Sequence, residues 1–232
     1  DGMISFGRPK KGSLIPAVMV GLGFCYTANV AISFLQNILS GFFPLQGNDF
    51  DLPTGPFGLI LSIIAVAVFP SLLEEFLFRG AIMGSLMKFG KPFAIFTSAI
   101  LFGLMHGNLV QIPFAFLVGL VLGFAVVETN SIWTGVLIHF LNNLFSTLAQ
   151  YSETKFGEDI TSAFYMLLLA TMILVGFFGI YLLSRQNPNL LKYSKTIHYS
   201  SPKKRLAWFC GAPAVIVYFV IIGLEVAAVQ FS

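Results

Sequence analysis

Two adjacent carboxylates and a guanidinium interrupt a long apolar run in this sequence of 232 residues. Glu74 and Glu75 lie in a hydrophobic stretch that begins near Phe57, and Arg79 follows Glu75 by four residues. An ionisable group at membrane depth costs about 3 kcal/mol or more unless it is paired or hydrated. These three side chains are therefore candidates for a functional site.

The spacing of the three charges assigns them different roles. Residues four apart lie on one face of a helix, and the order acid before base favours an ion pair between Glu75 and Arg79. Glu74 then lies about 100° around the helix and remains free for chemistry. We expect Glu75 to be structural and Glu74 to be the reactive carboxylate.

Three more polar side chains interrupt later apolar stretches, namely His106, His139 and Asn143. Together with Glu74 they could hydrolyse a peptide bond, which needs a base for the attacking water and donors for the oxyanion. Glu74 in a partly dry cavity is suited to take a proton, and His106 can share the water. His139 and Asn143 can donate to the oxyanion, where one donor has been worth about 3 kcal/mol in another enzyme. Phe102, one turn before His106, is expected to wall the site.

A zinc-dependent version of the same site is also compatible with the sequence. Glu74, His106 and His139 would supply one carboxylate and two imidazoles and leave a position open for water. Asn143 would remain the oxyanion donor and Glu75 would become the base. We favour the metal-free version, because Glu75 is better assigned to the arginine and because no HExxH pair is present. No other cofactor is expected.

The composition requires that these residues be positioned by transmembrane helices. The chain is 56% hydrophobic and 10% charged, against roughly 25% charged residues in a soluble domain, and its mean hydropathy is +0.86. Its continuous apolar runs of about twenty residues match membrane helices, whereas barrel strands need only about ten. We predict an all-α, polytopic transmembrane helical bundle that forms one integral membrane domain over residues 1–232.

About seven transmembrane helices are predicted, with a catalytic core at about 57–150 and flanking helices at 14–39, 160–183 and 206–229. Within the core, the predicted spans are 57–88, 93–106, 112–127 and 131–150. Pro70 is expected to kink the second helix and to free the carbonyl of Val66 for a polar cavity.

Helical rise predicts that the polar residues of three spans meet. Counted from the predicted cytoplasmic ends, Glu74 and His106 lie about 21 Å deep, and His139 and Asn143 about 12 and 18 Å. A shared, partly hydrated cavity explains this overlap in depth.

The basic residues orient the bundle with its N-terminus in the cytoplasm. Lys155 is the one basic residue in a predicted outer loop, and Arg79 is within a span. The other eleven are in predicted cytoplasmic segments, as the positive-inside rule requires: Arg8, Lys10, Lys11, Lys88, Lys91, Arg185, Lys192, Lys195, Lys203, Lys204 and Arg205. The turn at Glu128 carries no basic residue, so its side is assigned by alternation alone. The first residue is Asp1 rather than Met, which is compatible with a trimmed sequence that lacks an upstream helix.

Three short motifs resemble those of a known family, the CPBP (CAAX protease and bacteriocin-processing, also called Abi) intramembrane peptidases. The segment from Glu74 to Arg79 resembles their EExxxR motif, Phe102 to His106 their FxxxH motif, and His139 to Asn143 their HxxxN motif. The motifs occur in the family's order on separate predicted spans. The resemblance covers about residues 59–148.

This resemblance implies an intramembrane endopeptidase that hydrolyses peptide bonds of membrane-associated or lipid-anchored substrates. The family includes the endoprotease that removes the last three residues of prenylated CAAX proteins. In family terms, Glu74 and His106 would activate the water, His139 and Asn143 would stabilise the oxyanion, and the other motif residues would support the site. Descriptions of the family differ on whether a metal takes part.

Two other classes of function are compatible with buried polar residues, an ion-coupled transporter and a non-catalytic membrane immunity or scaffold protein. A transporter is disfavoured because the sequence shows no internal repeat and no matched pair of broken helices. The expected partners are membrane lipids and a protein or peptide substrate, with no nucleic acid. The expected location is a bacterial plasma membrane.

Overall fold

The computed structural model describes residues 4–43, 45–46, 55–188, 190 and 201–231. These residues form eight helices and no strand, which confirms the predicted all-α bundle of an integral membrane protein. The helices are α1 (Leu14–Ser40), α2 (Gly55–Phe89), α3 (Lys91–Leu104), α4 (Gln111–Thr129), α5 (Ile132–Phe156), α6 (Glu158–Gln186), α7 (Pro202–Cys210) and α8 (Pro213–Phe231).

Six of these helices are long and apolar enough to cross a membrane, and α3 is a shorter apolar helix. Its 14 residues span about 21 Å, less than the roughly 30 Å of a hydrocarbon core. Helix α3 ends at Leu104, two residues before the predicted end of the third span at His106. His106 therefore lies in the turn that follows the helix. The predicted span 206–229 is divided between α7 and α8, because Pro213 begins a new helix after Gly211.

Helix α2 changes its winding twice on either side of the glutamates. Two π-helical segments, Ile63–Val68 and Phe76–Met83, flank an α-helical segment, Phe69–Glu75. π-Helical turns are rare in proteins, and those that occur often lie at functional sites. The carbonyl of Val66, four residues before Pro70, accepts a hydrogen bond from Asn143 Nδ2 at 3.0 Å. This contact confirms the expectation that the proline frees that carbonyl for a polar cavity.

Hydrogen bonds place several helix ends at the same end of the bundle. Lys10 Nζ donates to the carbonyl of Glu128 and the Asn187 amide donates to the Glu128 carboxylate, each at 2.8 Å. Arg205 donates to the carbonyl of Phe89. The segment before α1 thus lies close to the ends of α4 and α6, and α7 lies close to the end of α2. The side of the membrane on which they lie stays a prediction. Some residues used in that argument lie outside the described part of the chain, namely Asp1, Lys192 and Lys195.

Helices α1 and α6 cross at a point where only glycine fits. A Cβ atom built on Gly23 would lie 2.5 Å from the Cα atom of Gly176. Because the Cα atom of Gly176 is part of the backbone, it can move away from an added Cβ only if the two helices change how they cross.

We expect Gly23→Ala to destabilise the bundle by about 1–3 kcal/mol, because the added methyl group overpacks this crossing. Thermal unfolding in detergent micelles measures the loss. Gly223→Ala in α8 is the matched control, since a Cβ there meets nothing within 4 Å. Equal unfolding temperatures for the two variants would contradict the close crossing.

Candidate active site

The polar residues of separate helices line one cavity of about 570 Å³. Glu74 reaches it from α2, His106 from the turn after α3, and His139 and Asn143 from α5. Phe102 forms part of the wall, as its spacing from His106 suggested. The structure thus brings together the four residues that the sequence singled out for chemistry.

Behind the cavity, Glu75 and Arg79 form a fully buried ion pair. Arg79 Nη1 lies 3.0 Å from Glu75 Oε1, and neither side chain is exposed. Arg79 also donates to the carbonyl of Gly119 at 3.3 Å, and its guanidinium carbon lies 4.3 Å from the ring centre of Phe102. Contacts from α2, α3 and α4 therefore hold this cation in place, and the pair that the i, i+4 spacing indicated is present.

A contact that the sequence reasoning missed joins Glu75 to His139. The Nδ1 atom of His139 lies 3.2 Å from Glu75 Oε1. A carboxylate accepts hydrogen bonds, so Nδ1 carries the hydrogen and the tautomer of the ring is set. The other ring nitrogen, Nε2, faces Glu74 Oε2 at 3.9 Å. His139 is therefore held between the two glutamates.

Gly135 makes room for the Glu75 carboxylate. A Cβ atom at Gly135 would lie 2.6 Å from Glu75 Oε2 and 2.8 Å from a methyl carbon of Val126. The only sequence signal for this role is the position of the glycine, one helical turn before His139. Glycine spacing alone does not identify the carboxylate that fills the gap.

The orientation of His106 follows from its backbone contact. Its Nδ1 atom lies 3.0 Å from the carbonyl oxygen of Phe102. Because a carbonyl only accepts, Nδ1 carries the hydrogen, and Nε2 of the neutral ring is an acceptor. The Phe102 ring meets His106 and His139 edge to face, with ring centres 5.2 and 5.7 Å apart. The Phe102 ring thus contacts both imidazoles and sets the distance between them.

The amide of Asn143 is held at both ends. Its Nδ2 donates to the Val66 carbonyl at 3.0 Å, and its Oδ1 accepts from Asn142 Nδ2 at 3.1 Å. The amide nitrogen carries two hydrogens, so one N–H remains for a further acceptor. Asn142 also lines the cavity and was not singled out from the sequence.

The zinc set predicted as an alternative consists of Glu74, His106 and His139. Within the described residues, no three His, Cys, Asp or Glu side chains are arranged to hold a metal ion. Whether the site takes zinc stays a prediction.

Residues 56–145 match the family model described as Type II CAAX prenyl endopeptidase Rce1-like. This segment is similar to that family. It contains all six residues predicted for the site: Glu74, Glu75, Arg79, His106, His139 and Asn143.

Two curated proteins are similar to part of the chain. One is YdiL of Bacillus subtilis (strain 168), provisionally named a membrane peptidase, with 29% identity over 41% of this chain and 39% of the relative. The other is the membrane-embedded CAAX protease MroQ of Staphylococcus aureus (strain USA300), with 28% identity over 62% of this chain and 60% of the relative. The chain thus covers less than two thirds of each relative's length. No solved structure matches the chain significantly.

We expect Glu75→Gln to lose about 3–5 kcal/mol of stability, because it leaves the buried Arg79 without its counter-charge. Glu74→Gln is the matched control, since the Glu74 side chain is 23% exposed and its ion-pair contact, with His139 Nε2, is long at 3.9 Å. Thermal unfolding of the purified variants separates the two. The double variant Glu75→Gln/Arg79→Gln should recover part of the loss, and equal stability of the two single variants would contradict this division.

Gly135→Ala should also impair the site, because its methyl group would collide with the Glu75 carboxylate. We expect a loss of about 1–3 kcal/mol, typical of overpacking. Gly84→Ala provides the control, since the nearest atom to a Cβ there is at an ordinary 3.7 Å. Unfolding temperatures measure both, and a fully stable Gly135→Ala protein would show that the carboxylate is not confined.

Proposed function

We propose that the protein is an intramembrane endopeptidase in which Glu74 and His106 activate the attacking water. The observation that carries the proposal is the convergence of Glu74, His106, His139 and Asn143 on one membrane-embedded cavity. The Rce1-like match over the same residues supports a peptidase. A site with a base, a second acceptor and oxyanion donors meets the requirements of peptide hydrolysis.

Glu74 is the proposed base. Its Oε2 atom has no hydrogen-bond partner among the described residues, and its side chain reaches the cavity. The acceptor Nε2 of His106 would hold the same water from a second direction. Glu74 would take a proton as the water oxygen attacks the scissile carbonyl. The carboxylic acid would then give that proton to the amine nitrogen as the C–N bond breaks.

The oxyanion would be stabilised by His139 and the free N–H of Asn143. To donate from Nε2, His139 must be protonated, since Nδ1 already carries the hydrogen shared with Glu75. Glu75 would thus act through His139 as a positioning residue.

The proposed substrates are proteins or peptides presented at or within the membrane, including lipid-anchored ones. The proposed setting is a bacterial plasma membrane, with the N-terminus of this chain in the cytoplasm. Support comes from the bacterial relatives and from the clustering of basic helix ends. Membrane lipids are then the other partners.

The function is tested by comparing the membrane proteomes of cells that express wild type, Glu74→Gln or His106→Ala. We expect at least one cleavage product to disappear in both variants, because each removes a contact to the attacking water. Ser184→Ala is the control, since Ser184 bonds only within its own helix at the surface. Unchanged cleavage patterns with equal protein levels would favour the non-catalytic scaffold instead.

Metal dependence is a separate prediction. We expect purified protein to retain its activity after treatment with a chelator and dialysis, because the mechanism uses only protein groups. Elemental analysis of the same preparation measures residual zinc. Loss of activity that returns on adding zinc would overturn the metal-free mechanism and leave the peptidase function intact.

A further inference from the structure

We propose that the substrate's peptide segment on one side of the cleaved bond lies extended in a polar groove that runs from the active site to the α5–α6 hairpin. This hairpin groove consists of two cavities beyond the catalytic one, of about 110 and 460 Å³. The proposal rests on the proposed function and names the part of the molecule that would select its substrates.

The three cavities adjoin one another, because each shares lining residues with the next. The catalytic cavity and the first part of the groove share Asn29, Phe114, Asn142 and Ser146. The two parts of the groove share Ser146, Ala149 and Tyr165. In this proposal, a chain bound at Glu74 continues from the catalytic cavity into the groove.

One face of α5 forms the floor of this whole path. His139, Asn142, Ser146, Ala149 and Glu153 follow one another at intervals of three or four residues and line successive cavities. From His139 to Glu153 the helix rises about 21 Å. An extended peptide rises about 3.3 Å per residue, so about six residues fit between the active site and the mouth.

The lining is suited to a peptide backbone rather than to a lipid chain. Tyr165 donates to Asn29 Oδ1 at 3.0 Å across the groove, and Ser146 makes no hydrogen bond among the described residues. At membrane depth an extended backbone needs such partners for its N–H and C=O groups. An isoprenoid chain would offer no hydrogen-bond partner to these polar groups.

The groove is tested with purified protein in proteoliposomes and a library of water-soluble, fluorogenic decapeptides, with cleavage positions read by mass spectrometry. The best cleaved sequence is then shortened one residue at a time from each end. We expect KM to rise as residues are removed from one end only, up to about six residues from the cleaved bond. Equal tolerance to shortening at both ends would overturn the proposal.

The variant Ser146→Leu tests the same groove by changing the protein instead of the peptide. We expect this side chain to obstruct the groove and to raise KM for the full decapeptide about tenfold with kcat within about twofold. A peptide that lacks the groove-side residues should show a smaller rise in KM, because Ser146 also borders the catalytic cavity. Ser184→Leu is the matched control on the outer surface of α6. An unchanged KM for Ser146→Leu would overturn the proposal.

Binding to inactive protein separates this proposal from the proposed function. Fluorescence anisotropy compares binding of the decapeptide pool to Glu74→Gln and to Glu74→Gln/Ser146→Leu. Weaker binding by the double variant supports the groove even if wild type cleaves none of the peptides, in which case the proposed function alone fails. Equal binding overturns the groove, and cleavage by wild type would then leave the proposed function standing.

Discussion

The buried ion pair between Glu75 and Arg79 is the constraint on which the rest of the site depends. Two charges removed from water are tolerated only with good geometry and further hydrogen bonds. Three other helices contribute contacts, through the Gly119 carbonyl, the face of Phe102 and the imidazole of His139. Glu75 Oε2 and Arg79 Nε still have no hydrogen-bond partner among the described residues. Because these helices all contact Arg79 or Glu75, the buried pair fixes the distances between them.

The same constraint explains why two adjacent glutamates differ. Glu75 points into the bundle, where Gly135 leaves space for its carboxylate, whereas Glu74 is turned toward the cavity. His139 contacts both, at 3.2 Å to Glu75 and 3.9 Å to Glu74. The ring therefore lies between a buried carboxylate that is paired with Arg79 and a second carboxylate that reaches the cavity.

The irregular winding of α2 is the second feature that shapes the site. Pro70 leaves the Val66 carbonyl without its helical donor, and Asn143 of α5 supplies one. Asn142 orients the same amide from its other end. A backbone irregularity inside the membrane is therefore satisfied by a residue that also faces the cavity. Beyond that contact the polar face of α5 continues toward the α5–α6 hairpin, where it lines two further cavities.

The sequence by itself determined the class of fold, the membrane location and the motif residues. These predictions came from local properties of the sequence: apolar runs, basic segments and spacings of four residues. Helix geometry and the cost of burying a charge say directly what such patterns imply. The Glu75–Arg79 pair and the role of Pro70 followed in this way. The length of α3 and the break before α8 did not, because helix ends depend on turns and packing that apolar composition does not encode.

Only the tertiary structure decided which groups from different helices meet. The bond from Glu75 to His139 joins residues 64 positions apart, and the fit of Gly135 against Glu75 depends on how α5 crosses α2. Asn29 and Tyr165 meet across 136 positions. Such contacts depend on the rotation and crossing of whole helices. These are set by the sum of many packing interactions, so no local pattern around one residue reveals its partner.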